Sequence, residues 1–87
     1  MDDLLSSRGV TPRLPSLSSR QIISALRRAG FEEAPHRSKG SHRAMVLRSD
    51  PPRLVIIPDR KSLPIGTLRA IVRQAGMTVE EFLGLLR

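Results

Sequence analysis

The residues best suited to chemistry form one short run, Lys39-Gly40-Ser41-His42-Arg43. Imidazole titrates near neutral pH and can therefore accept or donate a proton during a reaction. The cationic side chains of Lys39 and Arg43 can stabilise negative charge that develops on a phosphate. The glycine permits a tight turn and a close approach to the backbone, and the serine can donate a hydrogen bond. The run is therefore a candidate site for phosphodiester cleavage, with His42 as the catalytic residue.

Two observations bear on this hypothesis. A single histidine in a basic loop is often only a surface residue, and His36 has no glycine beside it and is predicted to be a solvated strand residue. The carboxylates do not have the spacing of a two-metal nuclease site. They occur as adjacent pairs or alone: Glu32 and Glu33, Glu80 and Glu81, Asp50, Asp59. We therefore expect no metal and no cofactor, with an RNA 2′-hydroxyl or a water as nucleophile.

Composition points to a large, anionic partner. The chain has 87 residues, a formal charge of +7, no cysteine and only two aromatic residues. A domain of this size has little material for a deep pocket, and without Tyr or Trp it lacks a platform for base stacking. A basic surface instead suits phosphates or an acidic protein. The sequence shows no signal peptide and no apolar run that could span a membrane, so we expect a cytoplasmic protein with no membrane contact.

Further basic residues extend the candidate binding surface beyond the histidine run. Arg60 and Lys61 follow an apolar segment that ends at a proline. Arg69 and Arg73 are four residues apart, which places them on one face of a predicted helix. We predict that these four residues contact RNA phosphates, together with Lys39, Gly40, Ser41 and Arg43.

The hydrophobic pattern predicts a leader, residues 1–16, followed by one domain, residues 17–87. A capping box at Ser18 begins the first helix and Gly30 ends it. Short apolar runs bounded by turn residues predict three antiparallel strands. They span residues 31–36, 43–48 and 54–57. Helical spacing returns from about residue 65 to Gly76, and a second capping box at Thr78 begins a short last helix, residues 79–86. The order predicts an α+β fold, α-β-β-β-α of the double-stranded-RNA-binding type, with an extra C-terminal helix.

From residue 17 onwards the chain resembles the HicA (YcfA-like) mRNA interferase toxins. The resemblance rests on five segments in order: Ala29-Gly30-Phe31, Lys39-Gly40-Ser41-His42, Ile57-Pro58, Gly66-Thr67-Leu68-Arg69-Ala70-Ile71 with Gln74-Ala75-Gly76-Met77-Thr78, and Glu80-Glu81-Phe82. It implies a double-stranded-RNA-binding-like fold, endoribonuclease activity against mRNA and a catalytic histidine at His42. It also implies neutralisation by a HicB-type antitoxin protein.

The chain departs from this family where members often carry a second histidine, two residues after the strand-ending proline. Arg60 stands there instead. Two other functions stay open at this point. The chain could be a non-catalytic double-stranded-RNA-binding module that uses its basic residues on phosphates. It could also be a structural protein whose basic face only docks an acidic subunit.

Overall fold

The computed structural model describes residues 13–86, so most of the predicted leader and the last residue of the predicted domain lie outside it. Five elements build the domain in the predicted order, and a short sixth follows them. They are α1 (Ser19–Arg28), β1 (Glu32–Glu33), β2 (His42–Leu47), β3 (Arg53–Pro58), α2 (Ile65–Gln74) and α3 (Val79–Leu83). The strands form one antiparallel sheet in the order β1-β2-β3. The predicted α+β fold of the double-stranded-RNA-binding type, with its extra C-terminal helix, is confirmed.

Helix α1 begins and ends where its local sequence predicts. The Ser18 hydroxyl accepts from the Gln21 amide at 3.2 Å, and the Gln21 side chain accepts from the Ser18 amide at 2.9 Å. Gly30 follows the helix with φ of 98°, and the Phe31 amide donates back to the Leu26 carbonyl at 3.0 Å. This left-handed ending turns the chain sharply into the sheet.

Strand β1 is shorter than predicted, which corrects the expected strand over residues 31–36. Only Glu32 and Glu33 pair with β2, and Pro35–Arg37 forms a 3₁₀ turn. Proline has no amide hydrogen for a strand ladder, and its fixed φ suits the first position of a helical turn. The Ala34 amide makes a last bond to the Ala44 carbonyl at 2.9 Å. His36 is therefore an exposed residue of the 3₁₀ turn and not a strand residue.

One face of the sheet and the three helices enclose the core. Along β3, Val55 and Ile57 are fully buried, whereas the alternate residues Leu54, Ile56 and Pro58 are only half-buried. Met45 of β2 lies opposite Val55 and is also fully buried. The helices cover this face with large side chains: Ile22 and Leu26 from α1, Leu68 and Ile71 from α2, Phe82 from α3.

Helix α2 lies against β3, and α3 closes the far end of the core. The Gln74 side chain accepts from the Ile56 amide at 3.1 Å, which satisfies one backbone group of this edge strand. Helix α3 stops at Leu83, shorter than the predicted 79–86, because Leu85 and Leu86 bond to carbonyls only three residues back. Within residues 13–86, no helix has the length and apolarity that a membrane crossing needs.

An ionic cluster joins α1 to the first two strands. The Glu33 carboxylate of β1 accepts from Arg27 of α1 and, at 2.5 Å, from Arg43 of β2. The hydrogen bond from Arg43 holds the pKa of Glu33 below its usual value, against the opposing effect of burial. The same contact raises the pKa of Arg43.

We predict that Glu33→Gln lowers stability at pH 7 by about 0.5 kcal/mol, the scale of a partly exposed ion pair. That corresponds to a melting temperature about 2–4 °C lower for a domain of this size. Because the folded-state pKa is lowered, the stabilisation exists above the unfolded-state pKa and disappears as pH falls through the folded-state pKa. The difference between the two proteins should therefore narrow below about pH 4.

The matched control is Glu32→Gln, since among residues 13–86 Glu32 pairs only with the highly exposed Arg48, at 3.3 Å. Thermal melts should show almost no change for this variant. Equal melting temperatures for the wild type and Glu33→Gln at pH 7 would show that the cluster does not stabilise the fold.

Candidate functional site

A tight hairpin turn presents His42 at the start of β2. The His42 amide donates to the Lys39 carbonyl at 2.9 Å, and the Lys39 amide donates to the His42 carbonyl at 3.2 Å. Gly40 has φ of 56° and Ser41 has no positive φ, the combination found in a type II′ turn. A Cβ at Gly40 would meet no atom within 4 Å, so backbone conformation, not space, favours glycine here.

His42 and Arg43 lie on opposite faces of the sheet, because successive strand residues alternate. Arg43 shares the helix-covered face with Met45, and its guanidinium is held by Glu33. His42 lies on the other face, exposed and opposite Pro58 of β3. The structure therefore separates these two predicted site residues and gives Arg43 a contact within the fold.

A shallow cleft of about 170 Å³ opens beside His42. It forms where the hairpin turn, the end of β3 and the start of α2 meet. The Asp59 amide donates to the Ser41 carbonyl at 2.6 Å and so ties the end of β3 to the turn. The cleft is lined by Ser41, His42, Pro58, Asp59, Arg60, Pro64 and Thr67. We name it the His42 cleft.

Helix α2 points an uncapped N-terminus towards this cleft. Its N-cap is Pro64, which makes no side-chain cap bond, whereas α1 and α3 both begin with capping boxes. Within residues 13–86, the amides of residues 65–67 have no acceptor. Such amides, together with the positive end of the helix dipole, favour an anion. Gly66 adds no side chain in front of them.

Arg60 is held beside the His42 cleft by the first turn of α1. The Ser19 amide donates to the Arg60 carbonyl at 2.9 Å, and the Arg60 amide donates to the Ser19 hydroxyl at 3.3 Å. The same hydroxyl donates to Asp59 Oδ1 at 3.0 Å. Ser19 is buried, so the position of this loop is fixed from beneath. Arg60 itself is exposed.

The other predicted contact residues lie at different distances from the cleft. Lys39 and Gly40 belong to the turn that presents His42, and both are exposed. Lys61 lines a neighbouring cleft and not the one at His42. Arg69 and Arg73 are exposed on α2 and line neither cleft. Only three predicted residues meet in the His42 cleft itself: Ser41, His42 and Arg60.

Four residues of the cleft were not predicted as site residues: Pro58, Asp59, Pro64 and Thr67. Thr67 follows Gly66 at the start of α2, and its signal in the sequence is a helix that begins without a capping residue. Asp59 approaches His42 only because the strand register pairs His42 with Pro58. Local patterns do not report that pairing.

The cleft gathers what a phosphodiester substrate requires. It offers an imidazole for proton transfer, the hydroxyls of Ser41 and Thr67 as hydrogen-bond donors, and a guanidinium with helix N-terminal amides for negative charge. His42 and Asp59 are its two side chains of the kinds that bind metals. Across the described residues, no three His, Cys, Asp or Glu side chains come together.

One comparison with known proteins gives a match. The family model described as HicA toxin of bacterial toxin-antitoxin matches residues 19–77. The match runs from the first residue of α1 past the end of α2 and contains the whole His42 cleft, while α3 follows it. No curated protein matches the chain. Since this family model covers about two thirds of the sequence, the chain belongs to the HicA toxin family of bacterial toxin–antitoxin systems, whose members act with an antitoxin partner.

Proposed function

We propose that this toxin is an endoribonuclease that cleaves mRNA in the His42 cleft. The observation that carries the proposal is that His42, Arg60 and the uncapped start of α2 meet at one small cleft. An open, shallow cleft suits a polymer better than an enclosed small molecule. The absence of Tyr and Trp directs recognition to phosphates and sugars and not to bases.

His42 transfers the proton in this proposal. The scissile phosphate binds between Arg60 and the amides at the start of α2, which stabilise the negative charge that grows on it. His42 takes the proton from the nucleophile, which is either the RNA 2′-hydroxyl or a water, as the new oxygen–phosphorus bond forms. The bond to the 5′-oxygen breaks, and that oxygen receives a proton from the imidazolium. The oxidation states of all atoms stay the same, and these steps require neither a metal nor a cofactor.

Arg60 stands where members of the family often carry a second histidine, and its role differs from that of a histidine. Guanidinium stays protonated throughout the working range of pH, so it can stabilise charge but cannot relay a proton. Proton transfer in the cleft then falls to His42. In this proposal the role of the absent second histidine is divided between Arg60, for charge, and His42, for both proton transfers.

The antitoxin partner is, in this proposal, a HicB-type protein with an acidic surface. The toxin carries 15 basic against 8 acidic residues, and a complementary partner associates quickly with such a surface. His42 is exposed, so a protein that covers the open cleft would block access of RNA. Inhibition by covering requires no change in the toxin fold.

A non-catalytic double-stranded-RNA-binding module is the second candidate. One observation favours it: Arg69 and Arg73 are exposed on α2, away from the His42 cleft. Such a module would bind RNA and leave it intact, and it would give no role to the exposed histidine.

We predict that His42→Ala binds RNA and antitoxin normally but cleaves RNA at least about a hundredfold more slowly, the usual scale for loss of a general acid–base. The fold should not change, because the imidazole is exposed at the first residue of β2. The assay is single-turnover cleavage of a labelled RNA with EDTA present, beside a thermal melt. The same variant should lose toxicity when expressed without the antitoxin.

The matched control is His36→Ala, which removes an exposed imidazole from the neighbouring 3₁₀ turn. Its cleavage rate should equal that of the wild type. If purified His42→Ala cleaved RNA at the wild-type rate, the chemistry would lie elsewhere in the protein. If the wild-type protein left RNA intact, the non-catalytic binding module would be favoured.

We also predict that RNA affinity depends on salt and on α2. Replacement of Arg69 and Arg73 together by Glu should weaken RNA binding while the melting temperature stays constant, because both side chains are exposed. For the wild type, the logarithm of the binding constant should fall linearly with the logarithm of salt concentration, by about 0.7 per neutralised phosphate of single-stranded RNA. Fluorescence anisotropy measures both effects.

The control replaces the same two arginines by Gln. If charge is the cause, this neutral variant should bind RNA with an affinity between those of the wild type and the Glu variant. RNA affinity that does not change with salt concentration, or equal RNA affinity for all three proteins, would contradict a phosphate-contacting surface on α2.

A further inference from the structure

A second cleft, of about 590 Å³, adjoins the His42 cleft at the start of α1. The two clefts share Asp59 and Arg60, so no separate element stands between them. The second cleft is lined by Ser18, Ser19, Arg20, Asp59, Arg60 and Lys61. We name it the Arg20 cleft.

The Arg20 cleft is cationic. Arg20, Arg60 and Lys61 are all exposed, and none forms an ion pair with another residue in the range 13–86. One carboxylate, Asp59, opposes them, and one of its oxygens already accepts from the Ser19 hydroxyl. Three positive charges against one negative charge favour a bound anion.

Side chains supply most of the binding groups in this cleft, because most backbone amides at the start of α1 already have acceptors. The capping box occupies the amides of Ser18 and Gln21, and the Ser19 amide donates to the Arg60 carbonyl. No ion pair within residues 13–86 holds these three cationic side chains in place, so they do not fix the orientation of a bound phosphate closely. The cleft therefore suits a repeated anion on a polymer better than one precisely held small molecule.

We propose that the Arg20 cleft is a substrate subsite that binds a backbone phosphate of the RNA strand cleaved at His42. This proposal rests on the proposed endoribonuclease function. Arg60 lies between the scissile phosphate and the neighbouring one, with Arg20 and Lys61 beyond it. The strand passes from one cleft to the other over the loop that Ser19 fixes from beneath. Continuity of the two clefts favours the substrate itself over an acidic segment of the antitoxin as the occupant.

The test is the double variant Arg20→Ala with Lys61→Ala, which leaves His42 and Arg60 in place. On an RNA of about twelve nucleotides, KM should rise about tenfold and kcat should stay within about twofold, as for uniform binding of ground and transition states. The salt dependence of binding should fall by about 0.7 for the lost phosphate contact. On the shortest RNA that the wild type cleaves, the variant should match the wild type.

The control Arg48→Ala removes one positive charge just beyond the end of β2 that lies opposite to His42. It should change KM less than twofold on either RNA. Circular dichroism melts should show that all variants fold like the wild type.

Four results would overturn the subsite. They are an unchanged KM on the long RNA, an equal rise on both RNA lengths, an equal rise with Arg48→Ala, or weaker antitoxin binding with RNA kinetics untouched. A non-cleavable oligodeoxynucleotide of the same length separates this inference from the enzyme proposal. If the wild type cuts no RNA, tenfold weaker oligonucleotide binding by the double variant still supports the subsite, and unchanged binding overturns it.

Discussion

The candidate site depends on the contact between the start of α1 and the loop that follows β3. Ser19 makes this contact with both its amide and its buried hydroxyl, and it is the one buried polar residue that the described chain shows. Neighbouring bonds extend it, since the Leu63 amide donates to the Leu17 carbonyl at 2.9 Å. Because the Asp59 amide bonds in turn to the hairpin turn at Ser41, three distant parts of the chain are fixed around one loop. Both clefts share that loop.

The fold divides its arginines between structure and surface. Arg27 and Arg43 are held by Glu33 and stabilise the packing of α1 on the strands, so their charge is partly neutralised. Arg20 and Arg60 make no such pair within residues 13–86 and lie around the two clefts. A net charge of +7 is therefore less informative than its distribution.

Patterns within a few residues predicted most of the fold, whereas the site depended on long-range pairing. The capping box at Ser18 and the left-handed glycine endings are local, so the sequence indicates them directly. The first strand was predicted too long: Pro35, which indicated an edge or an early end, begins a 3₁₀ turn soon after Glu33. Arg43 was assigned to the site because it follows His42 in sequence, although alternation sends it to the opposite face. Thr67 was missed because only the folded arrangement of α2 brings it near the turn.

In the proposed enzyme, a phosphate occupies the space between His42 and the start of α2. The most direct measurement records amide chemical shifts of the ¹⁵N-labelled toxin during titration with a short RNA whose 2′-hydroxyls are all replaced by fluorine and which a gel shows to stay intact. The largest shifts should fall at Ser41, His42 and residues 65–67, whose backbone surrounds the cleft. Shifts confined to α3 or to the exposed side of α1, with residues 65–67 unchanged at saturating RNA, would contradict it.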